Sequence, residues 1–298
     1  MQPDELDLEA MAATLEESGR YRVLRQLKMR PVIEEPAGCE LRTGLFVDVE
    51  TTGLDPTKDE IIELAIVPFT YGLDGRIFHV REPYQRFQQP SSPIQPQITA
   101  LTGITDDMVA GQEIDPSEVE TIVNDAALII AHNAAFDRRF AERLSAVFAV
   151  KPWACSMTQV DWGSEGYEGT KLAYLAMGAG FFYGRHRAEN DCLAAIELLA
   201  TPLPRTGVPA MRSLLERARR PSYRVWAVHA PFDLKNVLKA RGYRWNGEEG
   251  QSPRAWYIDV DEPDLEQERM FLQNEIYQRD AEPLVRKITA YERFSERT

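Results

Sequence analysis

The sequence predicts an α/β protein: a mixed sheet with helices packed against it, followed by a smaller α+β unit. Three observations carry that expectation. Residues 45–50, 61–69 and 77–87 are apolar, strand-length runs separated by Gly, Pro and Asp turns. A short apolar run at 128–132 leads directly into a helical pattern from Ala134 to about Phe148, so strands begin to alternate with helices. Residues 201–209 hold three prolines, and both periodicities start afresh beyond them.

From the N-terminus, Leu6, Leu8, Met11 and Leu15, then Val23, Leu24 and Leu27, recur at roughly helical spacing around a Ser18-Gly19 break. Residues 3–29 therefore read as a helical preface. Pro31, Pro36 and Gly38 mark a linker. After the three strands, Pro90, Pro93 and Pro96 form a loop, and helices are predicted at 117–124, 171–178 and 191–200. The second unit reads as helix 210–219, strand 223–229, helix 233–241, strand 255–260 and helix 262–277. The expected organisation is an N-terminal extension over 1–42, a main domain over 43–200, a stiff linker over 201–209 and a small α+β module over 210–298.

Composition narrows the class. A chain of 298 residues, 44% hydrophobic and 27% charged, is expected to be soluble and to bury a real core. No apolar run approaches the ~20 residues of a membrane span. The acidic residues 1–17 do not have the character of a signal or transit peptide. Cys39, Cys155 and Cys192 form no CxxC pair, so neither a disulfide framework nor a zinc site is expected, and a reducing cytoplasmic setting is. The net charge of −13 argues against a polyanion as partner, but it is unevenly spread. Residues 1–200 carry −15, residues 201–298 carry +2, and residues 211–260 carry +5. An acidic body can still handle phosphates if its carboxylates hold divalent cations.

Several carboxylates occupy apolar positions. Asp48 and Glu50 stand two apart on a strand flanked by Leu45, Phe46, Val47 and Val49, so both side chains leave the same face. Two like charges at that spacing cost several kcal/mol unless a cation pairs with them; the alternative is a strand end that has reached solvent. Asp137 shares a helical face with Phe140, Ala141, Leu144 and Phe148, and Asp191 shares one with Ala194, Ala195 and Leu198. Each alone also fits an acid in the first turn of a helix, favourable to the dipole. Four converging carboxylates make an oxygen-only site suited to Mg²⁺ or Mn²⁺. His186 precedes Asp191 by five residues, about 140° round a helix, so the two would not face one point on a single helix. Gly184 suggests a loop instead, from which His186 can serve as a general base or simply lie at the surface.

Asp48-Val-Glu50-Thr-Thr-Gly53, His132-Asn-Ala-Ala-Phe-Asp137 and His186-Arg-Ala-Glu-Asn-Asp191 resemble, in order, the three motifs of the DEDDh 3′–5′ exonucleases. Glu60-Ile-Ile-Glu-Leu-Ala-Ile-Val67 and Pro93-Ile-Gln-Pro-Gln-Ile-Thr-Ala-Leu-Thr-Gly-Ile-Thr-Asp106 add to the likeness, which spans residues 43–200. It is strongest to the proofreading exonuclease subunit of bacterial replicative DNA polymerases.

The resemblance implies a ribonuclease-H-like fold and two-metal hydrolysis of the phosphodiester bond at a 3′ end, releasing nucleoside 5′-monophosphates. Asp48, Glu50, Asp137 and Asp191 would hold two Mg²⁺ or Mn²⁺ ions, and His186 would deprotonate the attacking water. Leu54, Gln97 and Thr102 map onto positions that contact the terminal nucleotide, Gln97 replacing an acid. His132 and Phe136 would line the pocket, Phe136 fitting a packing role equally. The implied partner is nucleic acid with a free 3′ end, DNA favoured over RNA, with a DNA polymerase as a further possible partner. An RNA-directed relative and an idle 3′-end-binding module are the competing readings; the idle module predicts a lost carboxylate or base, and all five residues are present. Outside the resemblance, residues 211–260 interleave arginines and lysines with Trp226, Trp245 and Trp256. That pattern fits either a single-strand-holding surface or the core and solvated rim of a small domain.

Overall fold

The computed structural model describes residues 5–36, 38–247 and 252–298, with side chains from residue 8 onward. In chain order the elements are α1 (Glu5–Glu17), β1 (Arg25–Gln26), β2 (Leu41–Thr51), β3 (Ile61–Gly72), β4 (Ile77–Val80) and β5 (Tyr84–Phe87). Then come α2 (Pro96–Thr102), α3 (Asp106–Val109), α4 (Pro116–Asn124), β6 (Leu128–Ala131), α5 (Ala134–Leu144) and β7 (Trp153–Cys155). α6 (Leu172–Ala179), β8 (Phe181–Phe182), α7 (Ala188–Ala200) and α8 (Ala210–Arg219) follow. The last are β9 (Ser222–Ala227), α9 (Lys235–Ala240), β10 (Arg244–Trp245), β11 (Trp256–Asp261), α10 (Leu265–Phe271) and β12 (Leu284–Ile288).

The expected mixed sheet is present. Its strands run β4-β3-β2-β6-β7, with β5 also on β3; β2 and β3 pair antiparallel along their full length, and β6 and β7 add in parallel. Alternation along β2 divides its side chains between two cores. Phe46, with Ala65 and Val67 of β3, packs under α7 and α8, where Cys192, Ala195, Met211 and Leu214 fill the layer. Leu45, Val47 and Val49, with Leu64 and Ile66, meet Val119 and Val123 of α4 and Phe140 and Ala141 of α5. A sheet covered on both faces explains why these strands read as near-continuous apolar runs.

Several local expectations fail for identifiable reasons. Residues 77–87 are two strands, because Pro83 cannot donate to the ladder and the chain breaks there. Residues 20–29 are extended rather than helical: Arg25 and Gln26 pair in parallel with Phe181 and Phe182, and tertiary pairing overrides the spacing. α5 stops at Leu144, where Ser145 turns to extended backbone and caps the short turn that holds Phe148. Residues 201–209 form a closed turn, with Pro202 bridged to Pro209 and the Leu203 amide bonded to Val208 O. α8, assigned by sequence to the second unit, buries Met211, Leu214 and Leu215 in the first core. A Cβ on Gly75 (φ +85°) would lie 2.4 Å from the Arg212 nitrogen, so only glycine fits where the β3–β4 turn meets α8.

The second sheet is antiparallel, ordered β10-β11-β9-β12, and its β-α-β-β-α-β sequence is the split β-α-β arrangement. Val225, Ala227, Leu238, Tyr243, Leu272 and Ile276 make its core. Of the three tryptophans, Trp226 is 2% exposed and Trp256 packs against this core, whereas Trp245 is 52% exposed. The chain end then returns to the first unit. The fully buried Arg138 guanidinium donates to the carbonyls of Ala290, Tyr291 and Arg293 and pairs with Glu142 at 2.6 Å. Among the described residues no helix is long and apolar enough to cross a membrane.

Candidate active site

The candidate site lies at the C-terminal end of β2, just past the last β2–β6 pair, Phe46↔Ile130. Asp48 and Glu50 point to the α7 face, opposite Ala65 and Glu63 of β3. Asp191, in the first turn of α7, comes down on them: one carboxylate oxygen from each of Asp48, Glu50 and Asp191 lies within 4.8 Å of the others. Asp137 arrives from α5 on the other side of the sheet. Its Oδ1 accepts a hydrogen bond from the Val49 amide at 3.3 Å, and its charge acts on Asp48.

Electrostatics sets this cluster apart from ordinary surface acid. Burial first, and then repulsion from Asp137, Asp191 and Glu50, holds the Asp48 carboxyl well above the usual carboxylate range. Burial, with Asp191 and Glu63 nearby, pushes Glu50 up to about 8. Burial likewise raises Asp137 well above its ordinary value. Asp191 is raised by burial too, against hydrogen bonds from Tyr183 Oη at 2.9 Å and the Arg187 amide at 3.2 Å. Oxygen-only donors, mutually repelling and close together, fit a hard divalent cation, which removes the repulsion that raises them.

His186 lies on the loop between β8 and α7, half-buried, with φ +59°. A non-glycine residue in the left-handed region is strained and needs its neighbours fixed. They are. Arg187 donates to Glu63 from Nε at 3.2 Å and from Nη2 at 3.1 Å, and the Ala188 amide donates to Glu63 Oε2 at 3.1 Å. Gln85 Nε2 donates to the same carboxylate. Glu63 thus satisfies an orphan amide at the start of α7 from a strand 125 residues away in sequence.

The other expected site residues separate. Leu54 is 83% exposed on the loop after β2, and Gln97 is exposed at the start of α2, its amide donating to Gln95 Oε1. Thr102 is buried, its hydroxyl donating to Ile98 O and accepting from the Ile104 amide at the C-terminal end of α2. His132 has both ring nitrogens engaged: Nε2 donates to Thr170 O at 2.8 Å, which leaves Nδ1 to accept from Ser156 Oγ at 2.9 Å. Burial lowers it to about 4, a neutral tether between loops. Phe136 packs on Phe140, ring centres 5.0 Å apart, against the α4–α5 core.

Sequence reasoning missed Glu63, Tyr183 and Arg187. Glu63 was within its reach, being an acid inside the apolar strand 61–67, by the same misplacement that singles out Asp137.

A family model for RNase T-type exonucleases matches residues 45–199, which holds all five motif residues. A segment of 118 residues is 37% identical to the PolC-type DNA polymerase III of Staphylococcus saprophyticus, covering 37% of this chain and 8% of that protein. The corresponding enzyme of Halalkalibacterium halodurans is 39% identical over 118 residues with the same coverage. The chain thus spans under a tenth of the curated relatives it matches. E. coli exonuclease I, solved with a dA16 oligonucleotide, superposes with a TM-score of 0.51 at 15% identity, covering 74% of this chain and 63% of that one. A second exonuclease I structure gives 0.52 at 16% identity, over 84% and 63%. At that identity the likeness concerns the fold, which is the expected ribonuclease-H-like one. On its motifs, its fold and the family match over 45–199, the chain belongs to the RNase T-type exonuclease family.

Proposed function

We propose that this protein is a metal-dependent 3′–5′ exonuclease that hydrolyses the terminal phosphodiester bond of DNA and releases nucleoside 5′-monophosphates. The observation that carries the reading is the meeting of Asp48, Glu50 and Asp191 within 4.8 Å at a buried strand end, with Asp137 beside them. These four carboxylates would hold two divalent ions. When bound, such ions supply electrophilic stabilisation of the phosphoryl oxygens and charge neutralisation.

The protein's own groups do the rest. Asp137 and Asp191, reaching the strand end from opposite faces of the sheet, fix the spacing of the carboxylates. Tyr183 and the Arg187 amide hold Asp191 in one orientation. His186, on the loop immediately before α7, accepts the proton of the attacking water at its imidazole nitrogen. Leu54, exposed on the loop after β2, and Gln97, exposed at the start of α2, contact the terminal nucleotide. His132 ties the loops after β6 and β7, and Thr102 closes the end of α2. The polymerase context of the relatives makes a DNA polymerase a natural partner.

The test is digestion of 3′-labelled single-stranded DNA, duplex DNA and RNA of one sequence, side by side, with Mg²⁺ or Mn²⁺. The reading expects label released as a 5′-mononucleotide at the earliest times, fastest from DNA. Faster release from RNA would assign the protein to the RNA-directed branch, and binding without release would make it a 3′-end-binding module.

A further inference from the structure

The second unit lies outside residues 45–199, the segment matched to the exonuclease family, and part of its surface alternates cations with aromatic rings. Phe232, on the loop between β9 and α9, is 76% exposed, and Lys235 Nζ stands 4.0 Å from its ring centre. Lys239 follows one turn on along α9, about 6 Å away. Its Nζ lies 5.8 Å from the centre of the Trp256 ring. Trp245, 52% exposed on the edge strand β10, meets Trp256 edge-on at 5.6 Å. Phe232, Lys235, Lys239, Trp256 and Trp245 thus form one continuous strip.

A single exposed ring is ordinary; the charges beside these rings are not. Among the described residues, neither lysine ammonium pairs with a carboxylate, whereas Arg241 and Arg244 nearby are bound to Glu268 and Asp259. A cation held over a ring face keeps N–H donors free for an anion. Asp233, exposed next to Phe232, borders the strip. The open face of the second sheet offers no such surface: Trp226 is 2% exposed, and Arg224, stacked 4.3 Å from the Tyr257 ring centre, is bonded to Asp259. Of the arginines, lysines and tryptophans interleaved over 211–260, the strip therefore gathers ones that the fold itself leaves accessible.

We propose that this strip binds single-stranded DNA, with phosphates on Lys235 and Lys239 and bases against Phe232 and Trp245. The inference rests on the exonuclease reading for its choice of ligand and adds a second contact surface to it. Unpaired cations call for an anion and exposed rings for a flat apolar partner; a run of nucleotides supplies both in alternation, whatever its sequence. A purely acidic peptide would answer the lysines alone. The strip is remote from the carboxylates. β9 leaves α8 at Ser222, and Trp256 and Trp245 gather at its other end, beside Ala227. α8 itself meets Arg42, Leu128 and Pro152 at the end of the main sheet opposite the carboxylates. The strip therefore retains a long strand and has no part in aligning its 3′ end.

The test measures binding of labelled dT20 to the full-length protein by anisotropy, in EDTA so that nothing is cleaved, over a series of NaCl concentrations. Lys235→Gln and Lys239→Gln together should weaken binding and flatten the slope of log affinity against log salt by about 1.4, about 0.7 for each lost phosphate contact. Trp245→Ala should raise Kd about five-fold or more, the lower end of the range for one stacked base, without changing the slope; Trp245→Phe should keep most of the affinity. With Mn²⁺, kcat/KM for the dinucleotide dT2 should be the same in all three variants and in the unsubstituted protein. Unchanged affinity for dT20 in either the lysine variant or Trp245→Ala would overturn the strip as a DNA surface. Strip-dependent binding of dT20 with no mononucleotide released in Mn²⁺ would overturn the exonuclease reading instead and leave the strip standing.

Discussion

Glu63, wholly buried on β3, binds the guanidinium of Arg187 and the amide of Ala188, the two residues that follow His186. The contact ties the loop bearing the candidate base to the strand beside Glu50. Its consequence is positional, because Glu63 touches no reacting atom.

Glu63→Gln keeps the size of the side chain and removes its charge. It should lower kcat, on the order of 10²-fold if the imidazole shifts by about an ångström, while leaving KM for dT20 near its starting value. Glu63→Ala leaves the Ala188 amide unpaired and should also cost roughly 1–3 kcal/mol in a urea melt. A glutamine variant with unchanged kcat would show that the loop needs no clamp.

The carboxylate cluster predicts an unusual pH dependence for the metal-free protein. Asp48, Asp137, Asp191 and Glu50 are all raised in the folded state, Glu50 to about 8. The folded form therefore keeps protons that the unfolded chain releases near its ordinary carboxylate range. Stability contributed by these groups is present below about 4.5 and is lost as pH rises towards about 8. Thermal melts in EDTA should show the midpoint falling over that window, and Asp48→Asn should raise the midpoint at the upper end. Mg²⁺ at a hundred times its dissociation constant should restore about 2.7 kcal/mol. A metal-free midpoint that rises across the window would contradict the electrostatics.

His186→Ala should reduce turnover by ~10²–10⁴ with divalent-ion binding and strand binding retained. Calorimetric titration with Mn²⁺ and anisotropy with labelled dT20 check the retained functions. Near-normal turnover at neutral pH would assign the proton to another acceptor.

His132 has the opposite character. Burial depresses it to about 4, so the folded state resists a proton that the unfolded chain accepts, and stability falls as pH drops from about 6.5 towards 4. His132→Asn should be less stable at neutral pH, having lost one of two tethers, and less sensitive to acid over that interval. Urea melts at pH 4.5 and 7 measure both effects. An unaltered acid sensitivity would mean that other groups dominate there.

Much of the site was legible because an acid on an apolar stripe is chemically out of place. Asp48, Glu50, Asp137 and Asp191 all betray themselves this way, and Gly184 correctly puts His186 on a loop. The bonds by which the Thr102 hydroxyl ends α2 and the His132 imidazole ties two loops leave no trace in local pattern. In the fold, β2, β3 and β6 show in their apolar runs. β1, β8 and β10, two residues each, exist only through their partners and carry no periodicity. The return of the chain end to Arg138 is a contact across about 150 residues that no local window contains.

The most direct measurement of the central claim is the product formed from 3′-labelled single-stranded DNA by the unsubstituted protein and by Asp48→Ala, each with Mn²⁺ and with excess EDTA. The account predicts nucleoside 5′-monophosphates from the 3′ end in the first reaction only. Comparable release in EDTA, or from the folded Asp48→Ala protein, would contradict it.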